Sequence, residues 1–149
     1  RLGVGFMLLN NENKILIAKR IDTKVNGWQM PQGGIEEGET PSQAVMREMK
    51  EEIGTNNALI IAESKYWYFY DVPKFMIPKL WGGKYRGQKQ KWFLLKFLGQ
   101  DSEIRVDTEN QEFKEWKWSS SKEMMKVIVP FKNTLYKAVI NEFKDYIKG

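Results

Sequence analysis

The 149-residue chain contains no histidine and no cysteine. Without them there can be no Ser-His-Asp triad, no Cys-His nucleophile, no disulfide and no Cys/His zinc site. Any metal must be held by oxygen ligands, which selects hard ions such as Mg²⁺, Mn²⁺ or Ca²⁺. Any general base must be a carboxylate, lysine, tyrosine or metal-bound hydroxide. No apolar run approaches the roughly 18 residues of a membrane span, so no membrane partner is expected. The absence of cysteine is compatible with the cytoplasm, which is the expected compartment. Nothing in the composition calls for an obligate protein partner.

Lys and Arg number 24 against 19 Asp and Glu, and the resulting charge of +5 favours an anionic partner such as a nucleotide or nucleic acid. The length suits a single domain over residues 1–149, long enough to bury roughly 70% of its unfolded surface. Six Trp, six Tyr and eight Phe exceed what a small core needs, so part of this set is available for stacking.

Val4, Phe6 and Leu8 alternate with smaller residues as a half-buried strand would. Residues 10–13 form a turn, and residues 14–20 return as the second strand of a hairpin. Asn26-Gly27 marks a loop, and Gly33-Gly34 breaks regular structure again. The clearest helix covers residues 40–54. Thr40 is its N-cap, Pro41 takes the first helical position, Gln43 completes a capping box and Gly54 supplies the left-handed C-terminal cap. Residues 58–62, 66–70, 90–98 and 113–118 read as strands, with a long loop carrying Pro73, Pro78 and Gly82-Gly83. Ser119 to Ser121 can cap a short helix reaching Lys126. From Phe131 onward, Leu135, Val139 and Phe143 recur every four residues on an amphipathic helix. The pattern predicts one mixed α/β domain.

On the helix over residues 40–54, Val45, Met49 and Ile53 form an apolar stripe, and Glu48, Glu51 and Glu52 share another face. Like charges at this spacing repel by roughly 0.2–0.5 kcal/mol per pair. Glu51 and Glu52 also lie near the negative end of the helix dipole. Local stability does not select this arrangement. It is either a solvated acidic face or a metal site, because carboxylates on adjacent turns can share an oxygen-liking cation. Gly33-Gly34, which lets backbone approach a ligand, favours the second reading, as do Glu39 at the helix entrance and Arg47 beside Glu48.

The segment from Gly33 through Glu39 to Arg47-Glu48-Met49-Lys50-Glu51-Glu52-Ile53-Gly54 resembles the signature of the Nudix hydrolases. The resemblance extends over nearly the whole chain. Arg1-Leu2-Gly3-Val4-Gly5, Trp28-Gln29-Met30-Pro31-Gln32-Gly33-Gly34-Ile35, Gly87-Gln88-Lys89-Gln90-Lys91-Trp92-Phe93 and Glu112-Phe113 with Trp116-Lys117-Trp118 are similar to one branch of that family. The branch contains bacterial RNA pyrophosphohydrolases and the dinucleoside polyphosphate hydrolases of bacteria and plants. The resemblance implies an α/β/α sandwich around a mixed β-sheet, with Mg²⁺ or Mn²⁺ on the helix glutamates. Two positions depart from the pattern: Thr55 replaces an aliphatic residue, and Gly27 replaces the small hydroxyl residue that precedes the tryptophan in some RNA-acting relatives.

Carried onto this chain, the resemblance implies Glu48, Glu51 and Glu52 as metal ligands, with the Gly33 carbonyl as an addition. Glu112 becomes a further ligand or the base, although alone it reads as a surface loop acid. Arg47 is implied to orient a catalytic glutamate, and Glu39 to hold the loop. Arg1, Arg20, Lys89, Lys91 and Lys132 are implied contacts for the polyphosphate or its nucleotide, and each alone reads as a solvated cation. Phe131 and Tyr70 are implied on the nucleotide side, with core packing the other reading of Phe131. Trp92, Trp116 and Trp118 are expected in strands and core. The expected reaction is water attack on a phosphoanhydride, releasing pyrophosphate from 5′-triphosphorylated RNA. The alternative is asymmetric hydrolysis of diadenosine tetraphosphate to ATP and AMP. For that, Trp67, residues 66–70, Asp22-Thr23, Tyr85 and residues 79–83 resemble the dinucleotide-cleaving members as much as the RNA-acting ones.

Overall fold

Leu2–Leu9 forms β1, and every residue after Leu2 is buried. The strand is therefore not half-buried as its alternation suggests. Both of its faces are covered: Val4, Phe6 and Leu8 enter one apolar cluster, Met7 and Leu9 another. The structure, a computed structural model, describes residues 1–21, 27–71 and 87–147, apart from the side chains of Tyr70 and Asp71. Asp22-Thr23, Asn26, Pro73, Pro78, Gly82-Gly83, Tyr85 and residues 79–83 lie outside the described residues.

Around β1 the other strands complete a mixed sheet. β2 (Ile15–Arg20) is the antiparallel hairpin partner, with Leu9 opposite Ile15. β3 (Gln32–Gly34) pairs antiparallel with β1, and β6 (Gly87–Phe97) pairs parallel with it. β4 (Ala58–Glu63) and β5 (Tyr68–Asp71) both lie antiparallel to β6, while β7 (Phe113–Ser119) closes the far edge against β2. The order is β4-β6-β1-β2-β7. β3 corrects the expectation that Gly33-Gly34 breaks regular structure. The two glycines face Val4 and Gly3 in register, at places where side chains of other elements crowd the backbone.

α1 (Pro41–Ile53) covers one face of the sheet with Ala44, Val45, Met49 and Ile53. α2 (Ser121–Val127) and α3 (Asn133–Ile147) cover the other with Met124, Leu135, Tyr136, Val139 and Phe143. This is an α/β/α sandwich. α3 begins at Asn133 rather than Phe131, because Pro130–Lys132 forms a 3-10 turn first. Trp92 is fully buried, and Trp116 and Trp118 pack partly buried against the α1-side cluster. Thr55 keeps its buried position through its hydroxyl, which accepts from the Asn57 N–H at 3.1 Å. Gly27 has φ +150°, and a Cβ there would stand 2.9 Å from the Val129 nitrogen, so a hydroxyl residue has no room. Among the described residues no helix is long and apolar enough to cross a membrane.

Candidate active site

The site begins with the caps of α1. Thr40 Oγ1 accepts from the Gln43 N–H, the Gln43 side chain accepts from the Thr40 N–H, and Gly54 closes the helix at φ +77°. These fix the helix start and hence the direction in which its acidic face points. The turn before it is tied by Glu39, whose carboxylate accepts from the Glu36 N–H at 2.9 Å.

Arg47 joins this turn to the acidic face. Its Nε and Nη2 grip Glu39 as a fork at 2.6 and 2.9 Å, and Nη2 also donates to the Gly34 carbonyl at 2.9 Å. Nη1 donates at 3.0 Å to both Glu48 Oε1 and Glu51 Oε2. A planar guanidinium with five donors suits this arrangement, where a point-charge lysine does not. Arg47 and the Glu36 N–H hold the Glu39 carboxyl down at about 2.

Glu48 lies against the backbone of β3. A Cβ on Gly33 would fall 2.1 Å from its Cδ, so only glycine lets β3 and the carboxylate approach this closely. One turn on, Glu52 is almost wholly buried, at 4% exposure. Its carboxyl is flanked by those of Glu48 and Glu112, and its Oε2 has no hydrogen-bond partner. Burial raises its proton affinity far above that of an ordinary carboxyl, and the charges of Glu112 and Glu48 add to this. Burial raises that of Glu48 in the same direction, partly offset by Arg47. Glu51 is the exposed member of the trio, at 57% side-chain exposure.

Glu112 is brought in by the tertiary fold. Its carbonyl accepts from the Ile21 N–H at the end of β2, and its carboxylate lies 3.7 Å from Arg20 Nη1. Between α1 and residues 108–112 opens a cavity of about 330 Å³ lined by Glu48, Glu51, Glu52 and Glu112, a fifth glutamate, Glu109, and Lys50, Thr108 and Asn110. Thr108 Oγ1, like Glu52 Oε2, is a buried oxygen without a hydrogen-bond partner. No spacing rule marks Thr108 in the sequence.

Lys132 is not a solvated cation. It is 4% exposed, and its ammonium donates to Gln32 Oε1 at 2.7 Å. Burial lowers it to about 7; the positive charge of Arg20 acts in the same direction and the Glu52 carboxylate opposes it. Gln32 was missed in the sequence, and the contact that reveals it joins residues 100 positions apart. Phe131 packs half-buried against the α2/α3 side of the core, with the Lys132 ammonium 5.9 Å from its ring centroid. Arg1 stacks its guanidinium on Gly34, where a Cβ would stand 2.2 Å from Nη2.

Lys89 and Lys91 gather elsewhere, around Trp67, at 5.8 and 5.6 Å from its ring centroid. The Lys91 ammonium is a structural tie, donating to the Ser64 and Lys65 carbonyls at 2.9 and 3.4 Å and pairing with Glu63 at 3.8 Å. Tyr70 lies on β5 opposite Gln88, and its side chain lies outside what is described.

A hard divalent cation fits this donor set. The donors are all oxygen, the Glu52 oxygen is buried and unpaired, and Gly33 leaves room for Glu48 against the backbone. Among the described residues no three acids already stand as a ready-made cage. Instead Arg47 holds oxygens of Glu48 and Glu51.

A sequence profile of the NUDIX domain matches residues 1–139. An RNA pyrophosphohydrolase of Rickettsia bellii is 60% identical over 148 residues, covering 99% of this chain and 92% of that protein. The RNA pyrophosphohydrolase of Rickettsia prowazekii is 59% identical over the same shares. Among solved structures, the E. coli dihydroneopterin triphosphate pyrophosphohydrolase superposes with a TM-score of 0.71 at 20% identity, covering 94% of this chain and 95% of that one. A C. elegans Ap4A hydrolase superposes with a TM-score of 0.69 at 19% identity, covering 98% and 96%. At such identities these two share the fold alone. With the signature glutamates on α1, the sandwich around a mixed sheet and a matching profile over nearly its whole length, the chain belongs to the NUDIX family of hydrolases.

Proposed function

We propose that the protein is a metal-dependent pyrophosphohydrolase that releases pyrophosphate from the 5′-triphosphate end of RNA. The observation that carries this reading is the convergence of Glu48, Glu52 and Glu112 next to a buried lysine, Lys132, and Arg20. Anionic and cationic groups meet there as a metal-bound polyphosphate requires. The name shared by relatives about 60% identical over 99% of this chain supports RNA as the substrate. The lack of cysteine is compatible with a cytoplasmic location.

Glu48, Glu51, Glu52, Glu112 and the Gly33 carbonyl would hold a Mg²⁺ or Mn²⁺ ion, which would neutralise charge at phosphate oxygens and lower the pKa of bound water. The protein supplies the rest. A carboxylate of the cluster takes the proton of the attacking water, since the chain has no imidazole. Water adds across the α–β phosphoanhydride, leaving a 5′-monophosphate on the RNA and freeing pyrophosphate. Lys132, Arg20 and Arg1 hold the polyphosphate and stabilise charge on the leaving group, with Lys89 further out. Phe131 stacks on the nucleotide. Arg47 positions Glu48 and Glu51.

The test is a direct comparison of catalytic efficiency on a 5′-triphosphate RNA and on diadenosine tetraphosphate, both with Mg²⁺. The RNA is expected to be the better substrate, with pyrophosphate the product. A clear preference for the dinucleotide, yielding ATP and AMP, would overturn the assignment.

A further inference from the structure

Beyond the cleft, on the α2/α3 side of the sheet, Trp28 carries two ammonium groups over its ring. Lys117 Nζ lies 4.3 Å from the ring centroid and Lys19 Nζ 5.5 Å. Sheet register explains why they meet. Lys117 pairs with Ile17, whose side chain enters the α2/α3 cluster, and Lys19 follows Ile17 by two residues on the same face. Glu115 stands opposite Lys19 in register, yet neither ammonium has a carboxylate within 4.0 Å among the described residues. An indole attracts each cation. Two like charges over one ring nevertheless repel, and an anion beside them would offset that repulsion.

The patch is linked to the cleft through the backbone. The Trp28 carbonyl accepts from the Val129 N–H at 3.0 Å, and Val129 leads directly into the turn that carries Phe131 and Lys132. A strand whose 5′ end lies at the glutamates, with its first nucleotides along that turn, is thereby directed over Trp28.

We propose that Lys19 and Lys117, held in place by Trp28, form a track for backbone phosphates of the RNA downstream of the nucleotides in the cleft. This rests on the RNA reading above. The track distinguishes an RNA chain from a dinucleoside polyphosphate, which has no further phosphodiester to place there.

The experiment measures steady-state kinetics of the intact chain and of the double variant Lys19→Gln/Lys117→Gln over a range of KCl concentrations. The substrates are a 5′-triphosphorylated dinucleotide and a single strand of roughly ten nucleotides, a length within common single-strand site sizes. For the longer strand, KM of the variant is expected to rise about tenfold with kcat unchanged. The slope of log KM against log[KCl] should fall by about 1.4, at about 0.7 per phosphate contact on a single strand. KM for the dinucleotide should be unchanged, which also reports an intact fold and cleft. A longer-strand KM unaltered by the substitutions would overturn the track. An equal rise for the dinucleotide would overturn it too, because the lysines would then act inside the cleft. Absence of pyrophosphate release from either RNA by the unsubstituted chain would instead refute the RNA reading itself.

Discussion

Gly33→Ala is the most informative single change in this site. Gly33 lies in β3 and does not have a positive φ, so alanine meets no backbone strain there. Loss of glycine's unfolded-chain freedom would favour the fold by roughly 0.5–1 kcal/mol. The new Cβ, however, would stand 2.1 Å from Glu48 Cδ and 2.3 and 2.5 Å from its two oxygens. Carbon contacts relax at about 3.5 Å, so the carboxylate must retreat by roughly 1.4 Å. Misplacing a catalytic group by about 1 Å costs on the order of 100-fold, or about 2.7 kcal/mol of barrier. The expected result is a kcat about 100-fold lower, a higher Mg²⁺ requirement and a melting temperature within a few degrees of the parent. Pyrophosphate release at saturating substrate, a Mg²⁺ titration and a thermal melt measure these in turn. Adding Glu48→Asp, which shortens the side chain by one methylene, should cost less in the Gly33→Ala background than in the parent, since the two residues touch. A Gly33→Ala protein with near-parental kcat would refute the argument that this contact positions Glu48.

Glu52→Gln should abolish Mg²⁺-dependent turnover while the protein stays folded. The folded carboxyl has its pKa raised above the unfolded value near 4.3, so its contribution favours the fold at low pH and is lost as pH rises. The metal-free variant should therefore melt above the metal-free parent at about pH 8, the gap closing near pH 4; Mg²⁺ should raise the melting temperature of the parent only. Glu39 shows the opposite sign: its pKa is depressed to about 2, so its contribution is present above the unfolded value near 4.3 and lost as pH falls through about 2. Thermal melts of Glu39→Gln and the parent should differ steadily from neutral pH down to about 5 and converge in stronger acid. Thr40→Ala removes the acceptor for the Gln43 N–H and should cost about 1 kcal/mol in a denaturant titration. Its kcat should remain close to the parental value.

Features written in neighbouring residues were legible without coordinates. The caps of α1, its apolar stripe, its row of glutamates and the β1–β2 hairpin all depend on groups a few positions apart, and local stereochemistry reads them directly. The absence of histidine and cysteine likewise excluded imidazole and thiolate groups from the site. What only the tertiary structure decided is the environment of those groups. β1 looked half-buried because alternation shows which residues share a face, not how many layers cover the sheet. Gly33-Gly34 looked like a break because a glycine pair carries no trace of the neighbours that require it, here Glu48 and Arg1. Glu51 and Glu52 are adjacent and chemically identical, yet one is exposed and the other buried between two further acids. Lys132 became a buried lysine of lowered proton affinity, and Glu112 joined the helix glutamates, through contacts spanning much of the chain. Proton affinity depends on burial and nearby charge, and folding creates both by bringing distant segments together.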